Sequence, residues 1–137
     1  MNRKIKLRVW DKIKKRFVDN DYTFVMFLSG KFDVEEENGE VGKLFERDSD
    51  DFVVMQFTGL TDKEGTEIYE GDIFECIYYY DGHRGHRYVV EYSEESACFW
   101  LKRIGNKCPQ DGVRQTMGDA SRHKIIGNIY ENPSLLF

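Results

Sequence analysis

The stretch Lys4-Ile5-Lys6-Leu7-Arg8-Val9-Trp10 alternates charged and apolar side chains almost without interruption. In a β-strand, successive side chains point to opposite faces, so the isoleucine, leucine and valine would face the core while the charged side chains would face water. In a helix the same charges would spread around the whole circumference. The stretch therefore predicts a β-strand.

Short apolar runs separated by turn residues continue along the chain. The predicted strands are Lys4–Trp10, Arg16–Val18, Phe24–Leu28, Phe32–Glu37, Phe52–Phe57, Ile73–Tyr80, Tyr88–Tyr92, Ala97–Ile104 and Lys124–Tyr130. Asn38-Gly39 suits the two positive φ angles of a type I′ hairpin turn. The sequence Asp62-Lys63-Glu64-Gly65 suits a type I turn in which the aspartate accepts backbone N–H groups.

Helical patterns are few. In the first half, only Val41–Asp51 places apolar residues at helical spacing, and Pro133–Leu136 suits a single helical turn. No linker is visible, so we expect one domain over residues 1–137, with an N-terminal hairpin region at 1–57 and a signature turn and second run of strands at 58–137. The predicted fold class is mostly β, a small barrel or compact sandwich of antiparallel strands with little helix.

Charge is segregated along the chain, although the net charge is only −5. Residues 1–16 hold eight Lys and Arg residues and one Asp, a net charge of +7. Residues 17–137 hold twelve Lys and Arg residues and 24 Asp and Glu residues, a net charge of −12. Asp33, Glu35 and Glu37 repeat at the two-residue spacing of the basic strand, so the two rows are possible partners. Two independently solvated faces are the simpler alternative.

The sequence offers no membrane segment and no cofactor motif. Its longest apolar run, Phe24–Leu28, is far shorter than the roughly 20 residues of a membrane span. The first residues lack the apolar segment of a secretory signal, and the three cysteines form no CxxC pair. Neither GxxxxGK[ST] nor GxGxxG occurs. We therefore expect a cytoplasmic protein without membrane association or cofactor.

Three segments, in order along the chain, carry recognisable motifs. The string VMQFTGLTDKEGTEIYEGDI at Val54–Ile73 resembles the central signature of the YopX family. Lys6–Asp11, with the sequence KLRVWD, and Ile126–Pro133, with the sequence IGNIYENP, resemble its N-terminal and C-terminal hallmarks. The resemblance therefore spans nearly the whole chain.

The resemblance implies a small, predominantly β protein encoded by a bacteriophage or prophage, which would place it in the cytoplasm of the bacterial host. It implies no established activity, so no catalytic, metal-binding or cofactor-binding residue carries over. The signature residues Gly59, Gly65, Gly71 and Asp72 have a sufficient backbone explanation, because glycine suits positive φ and Gly71-Asp72 suits a turn that leads into a strand. We interpret the signature as a folding device.

A basic loop is the most site-like cluster of the second half. It consists of His83, Arg84, His86 and Arg87. In a predicted hairpin loop these side chains could contact an anion or nucleic acid, or simply be solvated. With Cys76, Asp81 and Cys98 on adjoining strands the histidines are candidate zinc ligands, but the close ligand pairs of structural zinc sites are missing. The apolar surroundings of Cys98 predict an inert core thiol.

These patterns favour a non-enzymatic phage or prophage accessory protein that acts by protein–protein contact or self-association, as a homo-oligomer held by aromatic contacts. The first alternative is a nucleic-acid-binding module in which Lys4, Lys6 and Arg8 follow the phosphates and the basic loop adds contacts. The acidity of the remaining chain opposes this alternative. The second alternative, a metal-dependent enzyme, lacks a nucleophile motif.

Overall fold

The structure is a computed structural model, and it describes residues 3–19, 22–37, 44–76, 86–104 and 114–137. In this part of the chain, twelve strands and three short 3-10 helices form. The strands are β1 (Leu7–Asp11), β2 (Arg16–Phe17), β3 (Tyr22–Met26), β4 (Phe32–Glu37), β5 (Leu44–Arg47), β6 (Phe52–Thr61), β7 (Glu67–Tyr69), β8 (Asp72–Cys76), β9 (His86–Ser93), β10 (Cys98–Ile104), β11 (Arg114–Thr116) and β12 (Ile125–Asn128). The 3-10 helices are η1 (Ser49–Asp51), η2 (Met117–Arg122) and η3 (Pro133–Leu136).

The strands form three sheets, in the orders β2-β1-β6-β7, β3-β4-β5 and β11-β10-β9-β8-β12. Each strand pair with a defined register is antiparallel. The predicted fold class, mostly antiparallel β with little helix, is confirmed. The chain divides into two compact units, residues 8–54 and residues 1–7 with 55–137. The single domain over 1–137 stays a prediction.

The unit of residues 8–54 has a small aromatic and aliphatic core. Its buried centre is Val9, Val34 and Phe52, against which Val18, Tyr22, Phe24, Phe32 and Val54 pack. Phe24 and Phe32, on neighbouring strands, stack with their ring centroids 4.8 Å apart. Along β4, buried Val34 lies between exposed Asp33 and Glu35, which is the alternation of a half-buried strand.

The other unit has a larger core, to which β7, the five-stranded sheet and η2 contribute. This core contains Ile68, Phe74, Tyr88, Val90, Leu101, Met117 and Ala120, with Phe99 and Ile125 packed against it. Phe99 and Leu101 thus share the core face of β10, as residues two apart on a strand do.

The basic strand differs from its prediction. Strand β1 begins at Leu7 rather than Lys4, and of the three apolar residues only Val9 is buried. Ile5 and Leu7 are 71% and 39% exposed. Alternation determines which side chains share a face, but it does not determine how far along the strand that face is covered by other elements.

The predicted helix over Val41–Asp51 is wrong where the structure describes it. Residues 44–47 are strand β5, which pairs with β4, and η1 is a single 3-10 turn whose N-cap, Asp48, accepts a hydrogen bond from Asp50 N. Pairing to a neighbouring strand outweighs a weak helical pattern. Among the described strands the neighbours of β4 are β3 and β5, so the acidic row of β4 does not pair with the basic strand, a pairing that the sequence left open beside two independently solvated faces. The Asn38-Gly39 turn lies outside the described residues.

Candidate functional site

The most strongly ionic constellation of the described residues is a buried cluster in the unit of residues 8–54. We call Asp11, Lys14, Tyr22, Glu36 and Arg47 the ion cluster. Asp11, at the end of β1, is fully buried. Arg47 Nη1 lies 3.1 Å from its Oδ2 and Arg47 Nη2 lies 3.2 Å from its Oδ1, a bidentate pair.

Further hydrogen bonds satisfy the remaining lone pairs of Asp11. The Tyr22 hydroxyl donates to Oδ2 at 2.9 Å, and the backbone N–H groups of Ile13 and Lys14 donate to Oδ1 at 2.9 and 3.1 Å. The last two bonds close the turn between β1 and β2. Asp11 therefore connects this turn to β3 and β5.

A second carboxylate completes the ion cluster. Glu36, only 2% exposed, accepts from Arg47 Nη1 at 2.5 Å and pairs with Lys14 Nζ. Two carboxylates thus face one guanidinium and one ammonium, so the formal charges cancel. Arg47 also lies over the Phe52 ring, 5.0 Å from its centroid, which connects the cluster to the core.

The electrostatics mark the ion cluster as structural. Burial disfavours ionised Asp11, but hydrogen bonds from Arg47, the Lys14 backbone and Tyr22 outweigh it and lower the pKa to about 2. The bond to Asp11 raises the pKa of Arg47 above its ordinary value. Burial, followed by the bond to Asp11, raises the pKa of Tyr22. These groups keep their protonation states near neutral pH, which suits a permanent structural ion pair and not a proton-transfer site.

The central signature forms a turn around another buried carboxylate. Asp62 Oδ1 accepts from the backbone N–H groups of Glu64 and Thr66, both at 2.9 Å, and Oδ2 accepts from Ile125 N at 3.2 Å. Burial opposes its ionisation, but these bonds lower the pKa of Asp62 below its ordinary value. Gly65 has φ +83°, as predicted. The bond to Ile125 connects the signature to β12.

Gly71-Asp72, later in the signature, is a crowded turn. Gly71 has φ +82°, and a Cβ there would lie 3.3 Å from Ile129 Cγ1. Its N–H donates to Val90 O at 2.9 Å and its carbonyl accepts from Ile129 N at 3.0 Å. Asp72 Oδ2 accepts from Tyr69 N at 2.8 Å. The turn predicted from sequence is present.

Polar side chains of the C-terminal hallmark also form hydrogen bonds with backbone groups. Asn128 Oδ1 accepts from the N–H groups of Tyr130 and Glu131 at 3.1 and 2.9 Å, and Asn132 Oδ1 accepts from Asn128 N at 3.2 Å. A Cβ at Gly127 would lie 2.5 Å from Asn132 Oδ1, so only glycine fits without a shift. Asp11, Asp62, Asp72 and Asn128, which lie in the three family-like segments, thus accept hydrogen bonds that hold turns together.

The basic residues predicted to contact anions at the N-terminus are partly engaged within the protein. Lys6 Nζ pairs with Glu67 Oε1 at 2.7 Å, which raises the pKa of Lys6 and lowers that of Glu67. The Arg8 guanidinium lies over the Phe17 ring, 4.9 Å from its centroid. Lys4 is exposed.

The basic loop is described only in part, because His83 and Arg84 lie outside the described residues. Arg103 Nη2 lies 2.9 Å from Nε2 of His86. Arg87 Nη1 donates to a backbone carbonyl of η3 at 3.2 Å. Both described members of the predicted anion contact therefore have partners inside the protein.

A metal centre finds no support among the residues that the structure describes, where no three His, Cys, Asp or Glu side chains come together to hold an ion. The candidate ligands Asp81 and His83 lie outside that part of the chain. Cys98 is exposed at the start of β10, so the predicted core thiol is wrong: the apolar face of this strand begins at Phe99.

The surface feature that sequence reasoning missed is the apolar tip of the β3–β4 hairpin. We call Val25, Met26, Phe27 and Leu28 the apolar tip. Their exposed fractions are 47%, 44%, 50% and 110%. Phe27 N donates to Lys31 O at 2.8 Å and Gly30 N donates to Phe27 O at 2.9 Å, which closes the turn. The available signal was the chain's longest apolar run ending at Ser29-Gly30.

Comparison with known proteins finds a matching family model and solved structures that are similar to this chain. The sequence model described as YopX protein matches residues 6–137. The crystal structure of protein EF1440 from Enterococcus faecalis is similar, with a TM-score of 0.65 and 25% sequence identity over 99% of this chain and 100% of the other. The crystal structure of protein yopX from Bacillus subtilis has a TM-score of 0.60 and 19% identity, covering 96% of this chain and 95% of the other. No curated protein matches.

Proposed function

Because this chain belongs to the YopX family, we propose that it is a non-enzymatic accessory protein of a phage or prophage that works in the bacterial cytoplasm by protein–protein contact, self-association included. The described part of the chain holds no helix long and apolar enough to cross a membrane.

The apolar tip is the observation that carries the proposal. Single exposed apolar residues are common on proteins, but contiguous apolar patches mark interaction sites. Here four apolar side chains follow one another at the end of a hairpin, and Leu28 is fully exposed. Binding of another protein would remove this apolar surface from water, at roughly 25 cal/mol per Å².

The buried polar residues also support this proposal. Asp11, Asp62, Asp72 and Asn128 are each at most 6% exposed, and each accepts backbone N–H hydrogen bonds. The sequence features shared with the family are accordingly explained by folding. The choice of binding partner is therefore left to the exposed surface.

The test compares immobilised wild-type protein with the double variant Phe27→Ser/Leu28→Ser. The matched control is Ile5→Ser/Phe137→Ser, which alters two side chains that are 71% and 79% exposed elsewhere on the surface. Each immobilised protein is incubated with the purified chain or with host-cell extract. We expect wild type and control to capture the same partners, whether a second copy of the chain or a host-cell protein. The tip variant should capture none of them. Equal retention by all three proteins would contradict a role for the tip.

The nucleic-acid alternative retains only part of its predicted surface. Lys4 is exposed, and Lys12 and Lys15 in the turn after β1 are exposed as well. Lys6, in contrast, is tied to Glu67.

A further inference from the structure

We propose that strand β3 pairs with the same strand of a second copy, in antiparallel orientation about a two-fold axis through Val25. The three-stranded sheet of each copy would then join into one six-stranded sheet. The inference rests on the proposed function, because it names the partner that covers the apolar tip.

Strand β3 is an edge strand. In the part of the chain that the structure describes, β4 is its only neighbour in the sheet. Phe27 N donates to Lys31 O, and the register pairs Val25 with Asp33 and Thr23 with Glu35. Since hydrogen-bonding direction alternates along an antiparallel strand, the backbone groups of residues 23, 25 and 27 point toward β4. Those of Phe24 and Met26 point outward, toward the edge.

The sequence of this edge lacks the usual protection against pairing. Natural edge strands carry charges, prolines or bulges that prevent association. The segment Tyr22–Leu28, with the sequence YTFVMFL, has no charged residue, proline or glycine. Other sheet edges are different, because β2, β5, β7 and β11 all contain a charged residue and β12 contains Gly127. An uncharged strand can pair with its own copy without electrostatic repulsion.

The proposed register uses every outward backbone group of the strand's second half. With the axis at Val25, Phe24 of one copy lies opposite Met26 of the other, and their N–H and C=O groups form four hydrogen bonds. Val25 faces Val25 of the second copy, and Leu28 lies opposite Tyr22. The apolar tip of each copy thus lies along strand β3 of the other copy. An isologous contact of this kind closes as a dimer and does not propagate into a fibre.

Sedimentation of the full chain over a concentration series measures the association. We expect a monomer–dimer equilibrium in the micromolar range, because a short strand pair lies at the small end of specific interfaces. Val25→Lys places two positive charges opposite each other at the axis and should abolish the dimer. Leu60→Lys, which replaces another strand residue that is 40% exposed, should leave it intact. Circular dichroism of each variant establishes that it is folded.

Cross-linking tests the register independently. The axis pair is of the non-hydrogen-bonded type, with Cα atoms about 4.5 Å apart, which is within disulfide range. In a chain whose Cys76, Cys98 and Cys108 are replaced by serine, Val25→Cys should form a covalent dimer on mild oxidation, whereas Leu60→Cys should not.

Two outcomes overturn the inference: a wild-type monomer throughout the concentration series, or a dimer that Val25→Lys leaves unchanged. If the apolar tip still retained a different protein in either case, the proposed function would stand and only the identity of the partner would be wrong. If the tip variant behaved like wild type in every contact, both would fail.

Discussion

Arg47 and Asp11 lie 36 positions apart in the sequence and form a bidentate ion pair, with Nη1 3.1 Å from Oδ2 and Nη2 3.2 Å from Oδ1. The Arg47 side chain is 11% exposed and that of Asp11 is 0% exposed. Through this pair the turn after β1 is connected to the third strand of the β3-β4-β5 sheet. Removal of either partner would leave the ion cluster with one unbalanced charge in a largely buried position.

Asp11→Ala should therefore lower the free energy of unfolding by about 3–5 kcal/mol, the usual cost of breaking a buried pair from one side. Urea unfolding followed by tryptophan fluorescence measures the change, since buried Trp10 is adjacent. Asp33→Ala, an exposed acid of β4, is the matched control and should change stability by no more than about 0.5 kcal/mol. Similar small effects at both positions would contradict a structural role for the pair.

The same pair predicts a specific dependence on pH. The pKa of Asp11 is lowered from 3.8 to about 2 in the folded state. A carboxyl with a lowered folded pKa contributes stability above its unfolded pKa and loses that contribution as the pH falls through its folded pKa. The stability difference between wild type and Asp11→Asn should therefore narrow between about pH 4 and pH 2. Urea midpoints at several pH values measure it, and a constant difference would contradict the assignment.

The local turn chemistry was predictable from the sequence because its determinants lie within a few residues. The Asp62–Gly65 turn and the positive φ of Gly65 were predicted, and both occur. The Asp11–Arg47 pair was not predictable, since no local pattern states which distant arginine reaches a given aspartate. The predictions of a core-facing Ile5 and of a helix at residues 44–47 were wrong for a related reason. Neighbouring strands decide which residues are buried and which segments pair.

The candidate surface shows the same limit. A continuous apolar run such as Phe24–Leu28 fits a buried strand as well as an exposed one. Its position at the end of a hairpin, which leaves Leu28 fully exposed, follows from the pairing of β3 with β4. The predicted anion contacts were chosen by charge alone, and sequence spacing does not reveal that Lys6 lies beside Glu67.

Two of the signature glycines, Gly65 and Gly71, form a matched pair for a stability test. Gly65 and Gly71 have φ of +83° and +82°, but a Cβ would meet no atom within 4 Å at Gly65, whereas Ile129 Cγ1 is 3.3 Å away at Gly71. Gly65→Ala should cost about 1 kcal/mol from backbone strain alone. Gly71→Ala should cost more, because Ile129 must also shift. Urea unfolding of both variants measures the difference, and equal costs would show that the close contact is unimportant.

Nucleic-acid binding should be absent if the protein acts by protein–protein contact. The net charge of −5 opposes binding of phosphates, and Lys6 of the predicted basic strand is paired with Glu67. We expect no gel shift of single- or double-stranded DNA or RNA at low salt. A shift that weakens steeply with salt and is lost in Lys4→Glu/Lys12→Glu, but not in Lys63→Glu, would establish the alternative function.

The Asp62 carboxylate gives a prediction that separates hydrogen-bonding geometry from size. Asp62→Asn preserves the shape of the side chain but offers only one acceptor oxygen. In the wild-type protein, the N–H of Ile125 donates to Asp62 Oδ2 at 3.2 Å. If the single amide oxygen of the variant accepts from Glu64 N and Thr66 N, its NH₂ group faces the N–H of Ile125 instead. Because two donors would then face each other in a buried position, unfolding should become easier by about 1–3 kcal/mol.

Glu64→Gln, in the same turn but exposed, is the control and should be nearly neutral. Amide hydrogen exchange locates the effect of Asp62→Asn: exchange at Ile125 should accelerate more than at Phe99, which packs against the core of the same unit. A variant as stable as wild type, with unchanged exchange at Ile125, would show that the bond from Asp62 to β12 contributes nothing. In that case the signature would require an explanation outside folding.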